Sequence, residues 1–150
     1  MYEEKINAYF DAPERRAELV EAISRLVRIR SVREEPLPGM PFGPGPAAAL
    51  AEGLKLAEEL GFATRNYDNY VGTADLNDKE TALHILCHLD VVGEGTGWTV
   101  TEPYVPKEVD GMLYGRGTDD DKGPVAAVLL AMKAVKELGV SVTLIGQKEK

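Results

Sequence analysis

The stretch KGPVAAVLLAMKAVKELGVSVTLI, residues 122–145, decides the fold class, because a long helical pattern runs directly into a strand pattern. Pro124 suits the first turn of a helix, and Gly139 is a favourable residue for ending one. Apolar side chains recur around much of the helix, at Val125, Val128, Leu129, Met132, Val135 and Leu138. The spacing predicts a buried helix over residues 122–138, followed by a strand over residues 140–145.

An apolar run upstream of that helix, TALHILCH at residues 81–88, predicts a second strand that is buried on both faces. The Asp68-Asn69 pair predicts a tight turn between two short strands. Asp11 is a candidate N-cap for the first long helix. Other patterns predict helices at about 2–9, 12–28 and 46–60, and strands at about 62–67, 70–76 and 112–114. This alternation predicts an α/β fold, with a layered sheet and flanking helices.

Composition and charge exclude several classes of protein. The 150 residues fit one domain, and 44% hydrophobic residues suffice for a core. Seventeen basic and 25 acidic residues give a net charge of −8, which argues against nucleic acid as a partner. The charged start, MYEEKINAYF, lacks the apolar core of a signal peptide, and no run has the about 18 apolar residues of a membrane span. The single cysteine, Cys87, cannot form an internal disulfide, so we expect a cytoplasmic protein with no membrane partner.

The first chemical cluster, His88 and Asp90, lies where the predicted strand meets a glycine-rich loop. Side chains two residues apart on a strand point to the same face, and ligand sites of open α/β sheets lie at the carboxyl ends of strands. A carboxylate beside a metal-bound imidazole can orient the ring and raise its basicity. The alternative is a surface turn with a chance histidine. His84, deeper in the same strand, is expected to be a structural core residue.

The second cluster is GRGTDDDKGP, residues 115–124, in which three consecutive aspartates precede the long helix. Carboxylates favour a helix N-terminus, so capping is one explanation. Capping does not explain why three glycines and Arg116 surround the aspartates. The spaced ligands and closing glutamate of an EF-hand are absent from this stretch. A carboxylate that bridges two metal ions is the other explanation, and this motif alone leaves both open.

Taken together, HLDVVGEGTGW (88–98) and YGRGTDDDKGP (114–124), followed by the long helix, resemble a family of co-catalytic zinc metallopeptidases. This family includes aminoacylases, carboxypeptidase G-type enzymes and PepV-type dipeptidases. Two further stretches, PFGPGPAAALAEGLKLAEELGF (41–62) and TRNYDNYVG (64–72), look similar to the PepV-type dipeptidase branch. The resemblance covers residues from about 12 to 146, and it implies the N-terminal part of the family's catalytic domain.

The resemblance implies a role for each residue that matches a family motif. His88 would ligate one of two zinc ions, and Asp90 would orient that histidine. Asp120 would bridge both metal ions. Its neighbours Asp119 and Asp121 are expected to cap the helix or to face solvent. Mn²⁺ or Co²⁺ could replace Zn²⁺, because histidine and carboxylate ligands accept all three ions.

The sequence departs from the family pattern after the predicted strand at residues 140–145. Glu149 aligns with the glutamate that acts as general base, whereas Lys150 falls where the family has a ligand glutamate. An ammonium group has no lone pair for zinc. The later aspartate and histidine ligands and the lid-like dimerisation domain have no counterpart in residues 1–150. We therefore expect a partial catalytic domain that binds zinc weakly and has little activity alone.

Two classes of function follow. The first is hydrolysis of dipeptides or related amide bonds, with a small peptide as substrate and zinc as cofactor. The second is a non-catalytic α/β binding or assembly module derived from the same family. In both cases, half of a layered domain would leave a sheet edge and apolar faces uncovered, which favours self-association.

Overall fold

The computed structural model describes residues 2–139, in which three helices are followed by two short antiparallel strand pairs and a fourth helix. The helices are α1 (Tyr2–Phe10), α2 (Pro13–Val27), α3 (Pro44–Glu59) and α4 (Lys122–Leu138). The strands are β1 (Ala63–Tyr67), β2 (Val71–Asp75), β3 (Lys107–Val109) and β4 (Met112–Tyr114). The predicted α/β class is confirmed. The predicted strand at residues 140–145 lies outside the described residues.

Helix α2 begins at Pro13, but the prediction that Asp11 caps it is wrong. The N-cap residue is Ala12, and no side chain makes a capping hydrogen bond there. The backbone N–H of Asp11 instead donates to the carbonyl of Asn7 at 2.8 Å, so Asp11 belongs to the end of α1. Proline at the first helical position has no N–H, which leaves one donor fewer for a cap to satisfy.

The hydrophobic core lies where α2, α3 and α4 meet. Its buried residues come from all three helices and from the start of the first hairpin, namely Ala22, Leu26, Leu56, Ala57, Phe62, Ala126 and Leu129. Fully burying a leucine-sized side chain contributes about 1.5–3 kcal/mol, so this cluster is a principal source of stability. It also packs α4, which begins directly after the three aspartates, against α2.

The hairpin formed by β1 and β2 confirms the predicted turn. The two strands pair antiparallel, with Ala63 opposite Asp75 and Tyr67 opposite Val71. Asp68 and Asn69 have φ angles of 52° and 59°, as a tight two-residue hairpin turn requires. The hairpin packs against α3.

The second hairpin contains one strand that the sequence analysis missed. Strand β4 was predicted, but β3 was not. The two strands pair with Lys107 opposite Tyr114. The Asp110-Gly111 turn between them has positive φ angles of 50° and 80°. An Asp-Gly pair between short strands is a hairpin signal, and it was available in the sequence.

The segment at residues 81–88 is not the buried strand that its apolar sequence predicts. It forms no strand, and Leu83, Ile85 and Leu86 are 53%, 55% and 95% exposed. His84 is exposed as well, so it is not a core histidine. A strand needs a neighbour for its backbone hydrogen bonds, and no other segment within residues 2–139 pairs with this one.

Helix α4 has the predicted bounds and ends at Gly139, whose φ and ψ of 62° and 32° are left-handed. Leu129 and Ala126 on one side of the helix are buried against the core. Neither α4 nor any other helix in the described part of the chain has the length and apolar character to cross a membrane.

Candidate metal centre

The imidazole of His88 lies between two carboxylates. Its Nε2 atom is 3.1 Å from Oδ1 of Asp120. Its Nδ1 atom is 3.3 Å from Oδ1 of Asp90 and 3.1 Å from the Asp90 carbonyl oxygen. The structure therefore brings together the end of the extended segment and the start of α4, with one ring nitrogen facing each aspartate.

The glycines of the 115–124 stretch allow the backbone to fold tightly beside Asp120. The Gly123 N–H donates to the Gly117 carbonyl at 3.2 Å, and Thr118 Oγ1 donates to the Gly115 carbonyl at 3.0 Å. A Cβ atom at Gly123 would lie 2.0 Å from the carbonyl oxygen of Thr118, which no side chain can tolerate. The peptide bond between Asp120 and Asp121 is cis. Helix capping alone does not require these close contacts.

The two neighbouring aspartates behave differently from each other. Asp121 is the N-cap residue of α4, yet its side chain makes no capping hydrogen bond. Its Oδ2 atom instead accepts a hydrogen bond of 2.9 Å from the backbone N–H of His88. The expectation that Asp121 caps the helix or faces solvent is therefore wrong. Asp119 is exposed and forms no hydrogen bond or ion pair with the other described residues.

Ser31 and Lys122 support the site from its buried side. Lys122 matches the family pattern, but the sequence assigned a supporting contact to neither residue. The buried hydroxyl of Ser31 donates to the Leu89 carbonyl at 2.6 Å, and the Ser31 carbonyl accepts from the Val91 N–H at 3.2 Å. The ammonium of Lys122 is fully buried and donates to the Ile29 carbonyl at 2.6 Å. Both residues therefore attach the site to the segment that follows α2.

Arg116 ties the glycine-rich loop after Asp90 to the aspartate-bearing turn. Its Nη2 atom donates to the Glu94 carbonyl at 3.0 Å, and its guanidinium lies 5.3 Å from the centre of the Trp98 ring. The Trp98 indole N–H donates to the same carbonyl at 2.7 Å. The Glu94 carboxylate accepts from Arg30 Nε at 2.6 Å and from the Tyr104 hydroxyl at 3.1 Å. The position of Arg116 beside the aspartates is therefore explained by its contacts with this loop.

The site is negative and open to solvent. The side chains of His88, Asp90 and Asp120 are 52%, 64% and 83% exposed, beside a cavity of about 250 Å³. Partial desolvation lowers the pKa of the His88 imidazole. A hydrogen bond to the Asp90 backbone and the charges of three aspartates outweigh that effect and raise the pKa above its ordinary 6.5. The three are Asp90, Asp120 and Asp121.

The donor atoms fit part of a zinc site. Zinc binds histidine nitrogen and carboxylate oxygen at about 2.0–2.2 Å, so two ligands of one ion lie roughly 3 Å apart, as His88 Nε2 and Asp120 Oδ1 do. Within residues 2–139, no group of three His, Cys, Asp or Glu side chains could hold a metal ion. Glu149 aligns with the general base of the family pattern, and Lys150 falls where that pattern has a ligand glutamate. Both residues lie outside the described residues.

Comparison with known proteins supports the family resemblance of the sequence motifs. The family described as "Peptidase family M20/M25/M40" matches residues 84–149, which contain His88, Asp90 and Asp120. The chain is similar to this family over those residues. The family resemblance of the sequence motifs, including the similarity to its N-terminal part, is confirmed.

Two bacterial relatives agree with the dipeptidase branch of the resemblance. "Putative dipeptidase YtjP" of Bacillus subtilis is 38% identical over 128 residues, which are 84% of this chain and 27% of the relative. "Putative dipeptidase SSP1012" of Staphylococcus saprophyticus is 36% identical over 143 residues, which are 94% of this chain and 29% of the relative.

A solved structure has a similar fold. The crystal structure of human carnosine dipeptidase 1 is similar with a TM-score of 0.67 and 29% identity, over 91% of this chain and 31% of that one. The chain therefore spans less than a third of the length of each of these three proteins.

Proposed function

We propose that this chain is part of a metal-dependent dipeptidase that hydrolyses small peptides or related amide bonds, with zinc as the metal. The observation that carries the proposal is the 3.1 Å separation of His88 Nε2 and Asp120 Oδ1. The family match over residues 84–149 and the dipeptidase names of the relatives support the substrate class. Mn²⁺ and Co²⁺ suit the same donor atoms.

The two carboxylates have different proposed roles because they face different nitrogens of His88. Asp90 faces Nδ1, so it orients the ring and leaves Nε2 available as a metal ligand. Asp120 faces Nε2 and would share the ion with it, as a bridge to a second metal. Glu149 is the proposed general base that takes a proton from the attacking water. When bound, zinc would supply Lewis acidity at the scissile carbonyl and favour ionisation of that water.

The 150-residue chain by itself is proposed to bind zinc weakly and to hydrolyse dipeptides negligibly. Zinc sites use at least three protein ligands, and the described residues offer His88 and Asp120. Lys150, which stands in place of a ligand glutamate, cannot donate to the ion.

Zinc titration of the chain, followed by the NMR signals of its two histidine rings, tests the proposal. The His88 ring signals should shift with added Zn²⁺, and the exposed His84 serves as an internal comparison. His88→Ala should abolish zinc-dependent shifts near Asp120, whereas His84→Ala should leave them unchanged. Zinc content after dialysis should be below one ion per chain.

Each other outcome has a defined meaning. Retention of two zinc ions per chain, with dipeptide hydrolysis that His88→Ala abolishes, would contradict the weak site and support an active enzyme. Zinc-independent spectra at saturating metal would contradict the metallopeptidase proposal. They would favour the non-catalytic binding or assembly module instead.

A further inference from the structure

The carboxylate of Asp121 is attached to the backbone of His88 instead of to its own helix. Its Oδ2 atom lies 2.9 Å from the His88 nitrogen, although Asp121 is the N-cap residue of α4 and its side chain makes no cap bond. Between residues 81 and 88, this amide is the one backbone group that bonds to another described residue. The tether therefore joins an otherwise unpaired segment to the first turn of α4.

We infer that Asp121 is a positioning residue, which holds His88 at the distance from Asp120 that a shared metal ion requires; this inference rests on the proposed function. Asp121 follows Asp120 directly in the chain. A hydrogen bond from its side chain to the His88 amide thus links the two donor residues through a short connection. Hydrogen bonds to an ionised carboxylate are roughly twice as strong as neutral ones.

The anchor provided by Ser31 lies on the other side of His88 and makes the tether effective. Ser31 bonds to the Leu89 carbonyl and the Val91 amide, so the peptide units after His88 are fixed to the core side of the site. Asp121 fixes the peptide unit before it. With both anchors in place, the backbone of His88 is fixed and only its side chain can rotate. Asp90 restrains the rotation of the imidazole ring because it faces Nδ1.

Comparison with Asp119 favours a positioning role for Asp121 over a purely electrostatic one. Asp119 carries the same charge and lines the same cavity as His88, yet it makes no hydrogen bond or ion pair to other described residues. A variant of Asp119 therefore reports the loss of a negative charge from the cavity wall without the loss of a hydrogen bond. A variant of Asp121 reports the loss of charge together with the loss of the acceptor.

Three variants of the chain separate these effects: Asp121→Ala, Asp121→Asn and Asp119→Ala. Two quantities are measured in each, namely the hydrogen-exchange rate of the His88 amide and the affinity for Zn²⁺ from NMR titration. Asp121→Ala should speed exchange of the His88 amide about tenfold and weaken zinc binding by about tenfold. Asp121→Asn retains an acceptor oxygen on a side chain of equal length and should restore most of both values. Asp119→Ala should leave the exchange rate unchanged.

Several results would overturn the inference. Equal exchange rates and zinc affinities in Asp121→Ala and Asp119→Ala would do so. An Asp121→Asn variant that behaves as Asp121→Ala would show that charge, and not the acceptor, matters. Faster exchange without weaker zinc binding would limit Asp121 to a structural bond. If the wild-type chain protects the His88 amide but binds no zinc, the proposed function fails while the tether itself stands.

Discussion

The Nζ atom of Lys122 donates a hydrogen bond of 2.6 Å to the carbonyl oxygen of Ile29, inside a region from which solvent is excluded. This contact joins the first turn of α4, two residues beyond Asp120, to the segment that follows α2. Burial lowers the pKa of Lys122 from its ordinary 10.5 to about 8. The residue therefore links the position of the candidate site to the stability of the whole chain.

The stability of the chain should depend on pH through Lys122. In the unfolded chain the lysine keeps its ordinary pKa, so between pH 8 and 10.5 the unfolded state binds more protons than the folded state. The free energy of unfolding should thus rise with pH across this window, by up to about 3 kcal/mol. Below pH 8 both states are protonated and the penalty for burying the charge is fully present.

Urea unfolding of wild type and Lys122→Met across that pH window measures the effect. Methionine fills a similar volume without a charge, so the variant should lose the rise in stability. The exposed Lys79, changed to methionine, is the control and should keep the wild-type profile. A stability difference between wild type and Lys122→Met that stays constant with pH would contradict the assignment.

Gly123→Ala should destabilise the chain and disturb the site together. The new Cβ atom would meet the Thr118 carbonyl oxygen at 2.0 Å, so the turn that carries Asp120 must shift. Overpacking of this kind costs about 1–3 kcal/mol, and zinc affinity should fall as well. Gly93→Ala is the matched control, because a Cβ atom there meets nothing within 4 Å. Thermal unfolding of both variants decides, and equal midpoints would refute the prediction.

Ser31→Ala should destabilise the chain by about 1–3 kcal/mol, because it leaves the Leu89 carbonyl without its hydroxyl donor in a buried place. Thr101→Ala removes a similar hydroxyl bond, to the Val105 carbonyl at 2.7 Å, from an exposed place. That control should change the free energy of unfolding by less. Chemical denaturation gives both values, and a Ser31→Ala chain as stable as the Thr101→Ala chain would be evidence against a buried anchor.

The exposed apolar segment predicts self-association of the chain at high concentration. Leu86 is 95% exposed in a segment whose backbone is mostly unpaired within the described part of the chain. Sedimentation velocity should show mass increasing with concentration, and Leu86→Lys should reduce it. Met112→Lys, at a 61% exposed position of β4, should have little effect. A wild-type chain that stays monomeric throughout the concentration series would rule out this prediction.

Local signals explain which parts of the fold could be predicted. Helix α4 has the expected bounds because its apolar spacing, Pro124 and Gly139 all lie within one stretch of sequence. The Asp68-Asn69 turn is equally local. The 81–88 segment could not be predicted in the same way, since an apolar run forms a strand only where another segment pairs with it.

In the candidate site, too, the residues of local motifs could be predicted, whereas the long-range supporting contacts could not. Motif spacing points to His88, Asp90 and Asp120, and these residues lie together, although their chemical roles stay a prediction. The supporting contacts span 33, 58 and 93 residues of sequence, for Asp121 to His88, Ser31 to Leu89 and Lys122 to Ile29. Such side-chain bonds to a distant backbone follow no periodicity, so only the folded arrangement reveals them.

Trp98 gives the chain a built-in optical reporter. It is the single tryptophan of the sequence, and its indole lies partly buried beneath the Arg116 guanidinium with its N–H on the Glu94 carbonyl. All intrinsic tryptophan fluorescence therefore originates in the loop that follows His88 and Asp90. Any rearrangement of that loop, whether by an ion, a peptide or unfolding, changes the polarity around one known fluorophore, so the events can be timed in unlabelled protein.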